Sequence, residues 1–374
     1  MFRAAASAVP FERGLVSAVR EDARPISAGI AVFEAGHPAP NDASVAAGRR
    51  SLDLARESQI RGGLLVLLSG GASAMLALPR PGLTLGDKML TAKNLMGAGA
   101  AIHELNCVRK HLSQIKGGQL AAAAGPVWTL ALSDVHGPEP DDPATIASGP
   151  TVPDPSTFAD AIEVIRGRQV QVPVRVEDYL MRGARGEVDE TIKPGDPRIA
   201  DSRYTVVGNR LTALTGAAAA ATERGYHTVT IPEATAGEAR DAAADFIARA
   251  SRLAETCPPP LCVMATGETT VTVSGDGLGG RNQEFALSAI ALIRQFGETA
   301  VLGSAGTDGI DGPTTAAGGI VDTTSLARAA RAGTDWEAAL ARNDSHRFFE
   351  TLGDLIMWGP TGTNVGDLHV LLAG

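Results

Sequence analysis

The sequence predicts an α/β fold in two domains, with mostly parallel or mixed sheets flanked by helices. Three observations predict it. Short apolar runs repeatedly end in Ser, Asp, Thr or Gly, helix-patterned segments lie between them, and 374 residues exceed what one core usually serves. The 43 glycines and only 4% aromatic residues imply a core of Ala, Val, Leu and Ile threaded by many tight turns.

In chain order, Leu64–Leu68 runs into Ser69-Gly70-Gly71, Trp128–Leu132 into Ser133-Asp134, and Tyr204–Val207 into Gly208-Asn209. Cys262–Ala265 then leads to Thr266-Gly267-Glu268, Ala300–Leu302 to Gly306-Thr307-Asp308-Gly309, and Leu355–Trp358 to Gly359-Pro360-Thr361-Gly362-Thr363-Asn364. Apolar runs without alternation suit strands buried on both faces. Between them, Arg210–Arg224 reads as a helix stopped by Gly225. Ala239, Ala243, Phe246, Ile247, Ala250 and Leu253 share one helical face, and Asn282–Phe296 reads as a third helix. Gly137 to Pro155 is too long for a simple turn and suits a substrate-facing loop or lid. Pro258-Pro259-Pro260 is incompatible with a helix and lies near the start of the second domain. In such folds ligands sit beyond the carboxyl ends of the strands, where the Ser/Asp/Thr/Gly clusters fall.

Charge and composition exclude several classes. With 33 Lys+Arg and 42 Asp+Glu the net charge is −9, which argues against a nucleic-acid partner. No apolar stretch approaches a membrane span, and MFRAAASAVPFERGL lacks the apolar region of a secretory signal. Cys107, Cys257 and Cys262 have neither disulfide-framework nor zinc-ribbon spacing, so a cytoplasmic protein is expected.

The motifs leave alternatives open. Leu68-Ser69-Gly70-Gly71-Ala72-Ser73, at a strand-to-helix junction, suits either an anion cradle of backbone N–H groups or a tight turn with Ser as cap. Gly71-Ala72-Ser73-Ala74-Met75 lacks the final glycine of a nucleophile elbow. Gly275-Asp276-Gly277-Leu278-Gly279-Gly280 matches G-x-G-x-x-G, but the acid a dinucleotide fold needs is first met at Asp308, too far along. No P-loop and no H-E-x-x-H occur. Arg109, Lys110, His111 and Lys116 form either a local positive field for an anionic substrate or a solvated helix face. Asp134, Asp141 and Asp142 offer carboxylates for Mg²⁺ or a general base, or serve as caps.

These residues carry a resemblance. The segments Glu34–Pro40, Leu68–Ala74, Glu104–Gly118, Ser133–Val135 and Ile146–Pro155, with Gly280–Glu284, Gly306–Thr314 and Gly359–Val365, resemble the class II glycerate kinases. These are glycerate 2-kinases with a C-terminal MOFRL domain, some of which are labelled hydroxypyruvate reductases. The resemblance implies an N-terminal α/β domain over 1–235, a MOFRL-like domain over 236–374 and an active site in the cleft between them. It implies ATP- and Mg²⁺-dependent phosphorylation of D-glycerate at its 2-hydroxyl, with glycerate and nucleotide as small-molecule partners and a homodimer as a candidate assembly. Catalytic roles then fall to Asp134, Arg281 and Lys116, and metal binding to Asp134 and Asp142. Substrate and phosphate contacts fall to Ser69, Gly70, Gly71, Ser73, Arg109, His111, Asn282, Asp308, Asp311, Thr363 and Asn364.

The chain departs from the family's pattern near its start. Ser27-Ala28-Gly29-Ile30-Ala31 runs almost at once into Glu34-Ala35-Gly36-His37-Pro38, where the family has a strand, a glycine-lysine turn, a helix and another strand. No lysine precedes Lys88. Loss of strands would expose sheet edges, and loss of the lysine would remove a cation from phosphoryl transfer. An impaired kinase, a relative that only binds ligand and an NAD(P)H-dependent hydroxypyruvate reductase are the readings this leaves. Thr315 replaces a usual Asp and Trp358 a usual Thr.

Overall fold

Residues 1–19 and 29–374 are described by a computed structural model. They form two compact units: Met1–Val135 with Glu139–Val207, and His136–Pro138 with Gly208–Gly374. The division lies at Val207/Gly208, earlier in the chain than the expected 235/236. The reason is packing. The Arg210–Glu223 helix and strand His227–Glu238 both pack on strand Leu261–Thr270, so the intervening chain belongs to the second core.

In the first unit, β1 (Gly14–Ala18) pairs in parallel with β2 (Ile30–Glu34), with Gly14 opposite Ile30. A separate sheet has the order β3 (Leu64–Leu68), β4 (Val127–Leu132), β5 (Arg203–Gly208). Only Leu68 of β3 is fully buried, which corrects the expectation of a strand covered on both faces. β3 is an edge strand of this short sheet among the described residues, so Leu64–Leu67 stay only partly buried. Residues 25–28 of the shortened junction expected near 25–33 lie outside the described residues, and 30–33 belong to β2.

Local signals set the helices of this unit. Thr84 and Asp87 form a reciprocal capping box that starts Leu85–Gly97, and Thr157 and Asp160 do the same for Phe158–Gly167. These helices pack with Ile102–His111 and Val174–Ala184 around Leu95, Val108, Leu112, Phe158, Val176 and Leu180. β3 and β4 are parallel with Leu68 opposite Ala131, so Ser69–Gly71 and Ser133–Asp134 leave the same carboxyl edge.

The second unit holds β6 (His227–Glu238), β7 (Leu261–Thr270), β8 (Val301–Gly306), β9 (Gly318–Asp322), β10 (Leu355–Ile356) and β11 (Asp367–Ala373). Their order is β10-β9-β8-β11-β7-β6. β6–β7 is parallel and every other pairing antiparallel, so this sheet is mixed. Asn209 caps Arg210–Glu223, and Gly225 follows that helix at φ 86, as expected. The helix expected over Asn282–Phe296 is split into Arg281–Ser288 and a 3-10 turn, Ile293–Phe296. Only Leu355–Ile356 of the run ending at Trp358 is strand.

Candidate active site

In the first unit the helix Ile102–His111 and the turn after it deliver Lys116 into the interior, where it is 4% exposed. Its ammonium donates to Ser73 Oγ at 3.0 Å and to the Ala147 carbonyl at 2.9 Å. Ser73 Oγ lies 2.7 Å from Ser148 Oγ, which donates to Asn106 Oδ1 at 3.0 Å. The loop expected to face substrate therefore reaches this network. It does so through consecutive left-handed residues, with φ 55 at Ala147, 60 at Ser148 and 59 at Gly149. Side chains at such φ are strained, and this turn is what aims the Ala147 carbonyl at Lys116.

Burial first, then Lys88 and Arg109, push the Lys116 pKa well below its usual value. Burial lowers Arg109 as well. Lys88 is pushed down to about 7 by burial and by Arg109 and Arg80. Sequence reasoning missed Arg80, Lys88, Asn106 and Ser148 as neighbours of the site. The last two stand inside segments that carry the family resemblance, so a signal for them existed; Arg80 and Lys88 had none.

Other expected site residues are occupied structurally. His111 is fully buried, its Nδ1 2.8 Å from the Cys107 carbonyl and its Nε2 3.2 Å from Glu190, with Phe158 edge-on at 4.7 Å. Burial opposes the charged ring, but the bonds to Cys107 and Glu190 prevail and hold its pKa at about 9. It belongs to the helical core of the first unit. Gly71 opens a helix of only four residues, Ala72–Met75, at φ 77. Within Ser69–Ser73 the N–H of Ala72 bonds the Ser69 carbonyl at 3.4 Å, and the N–H groups of Ala74 and Met75 just beyond it bond the Gly71 carbonyl. A Cβ at Gly71 would meet the His37 ring at 2.8 Å, so this glycine serves close packing. Asp142 accepts from Ala144 N at 3.0 Å and Thr145 Oγ1 at 2.7 Å, a turn cap. Asp134 is half-buried at the carboxyl edge after β4. Among the described residues no group of three or more His, Cys, Asp or Glu side chains is placed to hold a metal. Mg²⁺ bound through one or two carboxylates and phosphate oxygens does not require one.

The second unit gathers most of the remaining candidates. Arg281 makes a two-pronged pair with Asp367 at 2.6 and 3.0 Å and meets Glu268 at 2.9 Å. Asn282 donates to Asp367 at 2.9 Å and accepts from Ser304 at 2.8 Å. Asp311 is 2% exposed and accepts from the backbone N–H groups of Asn282 and Gln283 at 3.0 and 2.9 Å. Burial pushes its pKa up against those bonds. Thr307 and Asp308 are stitched to the 359–366 loop: Thr361 donates to the carbonyls of both, and Val365 N donates to Thr307 Oγ1 at 2.9 Å. Thr363 and Asn364 sit on that loop, with Asn364 Oδ1 accepting from Gly366 N at 3.0 Å. Trp358 stands exposed beside Gly309. Sequence reasoning did not foresee Asp367 as the partner of Arg281.

The G-x-G-x-x-G match has a packing explanation. A Cβ at Gly275 would lie 2.2 Å from the Arg342 carbonyl, one at Gly277 2.5 Å from Asp344 Cβ, and one at Gly279 2.2 Å from Ser345 Oγ. The N–H groups of Ser274 and Gly275 donate to Asn343, and that of Leu278 to Asp344. Protein fills the space a pyrophosphate would use, which removes the motif-based ground for nicotinamide binding.

Comparison with known proteins follows the same division. Residues 1–181 match the family described as a domain of unknown function, DUF4147, and residues 261–367 match the MOFRL family. The chain is 39% identical to a Pyrococcus horikoshii protein named glycerate 2-kinase over 92% of this chain and 78% of that one. An Agrobacterium vitis protein, provisionally named a hydroxypyruvate reductase, is also 39% identical, over 92% of this chain and 88% of the other. The crystal structure of a Thermotoga maritima glycerate kinase superposes with a TM-score of 0.89 at 35% identity, covering 100% of this chain and 88% of that one.

Proposed function

The chain belongs to the glycerate 2-kinase family with a C-terminal MOFRL domain, and on that premise we propose that it phosphorylates D-glycerate at its 2-hydroxyl, giving 2-phosphoglycerate. The observation that carries the reading is the buried Lys116–Ser73–Ser148 network, with Arg109 and Lys88 beside it. A small polyanionic reaction needs fixed cations more than covalent chemistry, because charge on the transferring group is the main thing to stabilise. Buried cations fit a nucleotide triphosphate and a carboxylate substrate on the same grounds.

When bound, ATP with Mg²⁺ supplies the γ-phosphoryl group and a neutralising divalent charge. Asp134, at the carboxyl edge of β4, takes the proton from the 2-hydroxyl as its oxygen forms the new bond to phosphorus and the bond to the leaving diphosphate oxygen breaks. Lys116, fixed by Ser73 and Ala147, stabilises the charge that builds on the oxygens. Asp134 and Asp142 would be the carboxylates to face the metal, and Asp142 already caps its own turn. Arg281 acts through its ion pairs by orienting Asp367 and Glu268.

A coupled assay with D-glycerate, ATP and Mg²⁺ tests the reading. Wild type is expected to turn over, and Lys116→Met to lose about 100-fold or more in kcat. Wild-type rates in the variant would reject the role of Lys116. One observation favours a second reading, a chain that binds ligand without catalysis: no lysine precedes Lys88. Calorimetric binding of ATP without any product would select it.

A further inference from the structure

Four basic side chains from separate parts of the first unit lie within electrostatic reach of one another. Arg80 follows Pro79, which bridges to Ser113. Arg80 N donates to the Leu112 carbonyl at 3.1 Å and Gln114 N to the Leu78 carbonyl at 2.9 Å, so this short antiparallel pairing sets Arg80 against the 109–116 segment. Lys88 lies in the first turn of Leu85–Gly97, Arg109 in the last turn of Ile102–His111, and Lys116 beyond it. Arg109 and Arg80 act on Lys88, and Lys88 and Arg109 act on Lys116.

The arrangement lacks the partner its charge requires. Arg80 Nε, Arg80 Nη2 and Lys88 Nζ are buried without an acceptor, as is the neutral donor Asn106 Nδ2 on the Ser148 side of the network. Among the described residues no carboxylate forms an ion pair with any of the four cations; Lys110, by contrast, has Asp154 at 3.5 Å. Lys88 is also at the positive end of its helix. Burying an unpaired ammonium beside other cations is strongly unfavourable, and folded proteins place such groups where an anion completes them. Arg80 further lines a cavity of about 360 Å³ shared with Asp42, Arg49, Leu85 and Gln114.

We propose that Arg80 and Lys88, with Arg109 and Lys116, form an oxyanion seat inside the first unit that receives a carboxylate or phosphate group. The seat stands on its own geometry. Identifying the anion as glycerate carboxylate or nucleotide phosphate rests on the kinase reading. Arg80 presents its planar fork edge and Lys88 a point charge, a combination suited to a bidentate oxyanion.

Sodium sulfate, titrated calorimetrically into the full chain at constant ionic strength, is the probe. Wild type binds it, and both Lys88→Met and Arg80→Gln weaken it about tenfold or more. Lys88→Met also raises the sulfate-free Tm, because an uncompensated charge is gone; a lysine that merely held the fold together would lower it. Competition separates the sources: displacement by D-glycerate marks a carboxylate seat, and displacement by ATP a phosphate seat. No sulfate binding by wild type, or wild-type affinity in both variants, overturns the proposal, and displacement by neither ligand keeps the seat but removes glycerate and ATP as its anion. A chain that binds sulfate through Lys88 and Arg80 yet makes no 2-phosphoglycerate keeps the seat and loses the kinase reading.

Discussion

Lys88 offers a pH signature at the residue scale. Its pKa falls from 10.5 to about 7, chiefly through burial and then through Arg109 and Arg80, with Lys116 the other cation nearby. Between those values the unfolded chain binds more protons than the native one, so stability should rise with pH from about 7 towards 10.5. The full penalty is present below about pH 7. Wild-type Tm is expected to climb relative to Lys88→Met across that window; parallel curves would contradict it. A second residue-scale prediction concerns Asp311. Asp311→Ala leaves the buried N–H groups of Asn282 and Gln283 without acceptors and should cost about 3 kcal/mol in urea unfolding. A loss below about 0.5 kcal/mol would show that solvent replaces the carboxylate. Sequence alone offered Ser73 at a strand-to-helix junction and Lys116 in a basic cluster, and the family resemblance added Asp311. It could not expose Arg80 and Lys88, because their neighbours are set by the pairing of 78–80 with 112–114. The pairing of Arg281 with Asp367 was hidden for the same reason, since the two are 86 positions apart.

At the scale of elements, two turns matter most. The left-handed stretch Ala147–Gly149 presents the Ala147 carbonyl to Lys116. Ala147→Gly should relieve local strain and raise stability by about 1 kcal/mol or less, since glycine's unfolded-state entropy offsets part of the gain. A clear loss of stability would show that the methyl group packs more than the backbone strains. In the glycine-rich loop, Gly279→Ala should lower Tm by driving a methyl group into the 342–345 turn, against Ser345 Oγ. An unchanged Tm would reopen the loop as ligand space. Strand and helix positions were legible wherever the pattern was local: Leu64–Leu68, Ala239–Ala254 and the Gly225 stop all appear. The glycine pattern was ambiguous, because close approach by a ligand and close approach by the chain require the same residue.

For the molecule as a whole, the α/β class and the family could be read from the chain, whereas sheet direction could not. Apolar runs such as Leu261–Ala265 have the same appearance in parallel and antiparallel sheets, and β7 has one neighbour of each kind. The domain boundary moved to Val207/Gly208 because helix Arg210–Glu223 carries too weak a pattern to reveal which core it serves. Whether the cations of the first unit suffice for phosphoryl transfer without a lysine ahead of Lys88 is a chemical question with one direct answer. The measurement is phosphorus NMR of D-glycerate, ATP and Mg²⁺ incubated with stoichiometric enzyme. The account predicts a phosphomonoester on the 2-hydroxyl, formed at the expense of ATP and about 100-fold more slowly with Lys116→Met. Unchanged ATP, or a phosphate on the 3-hydroxyl alone, would contradict it.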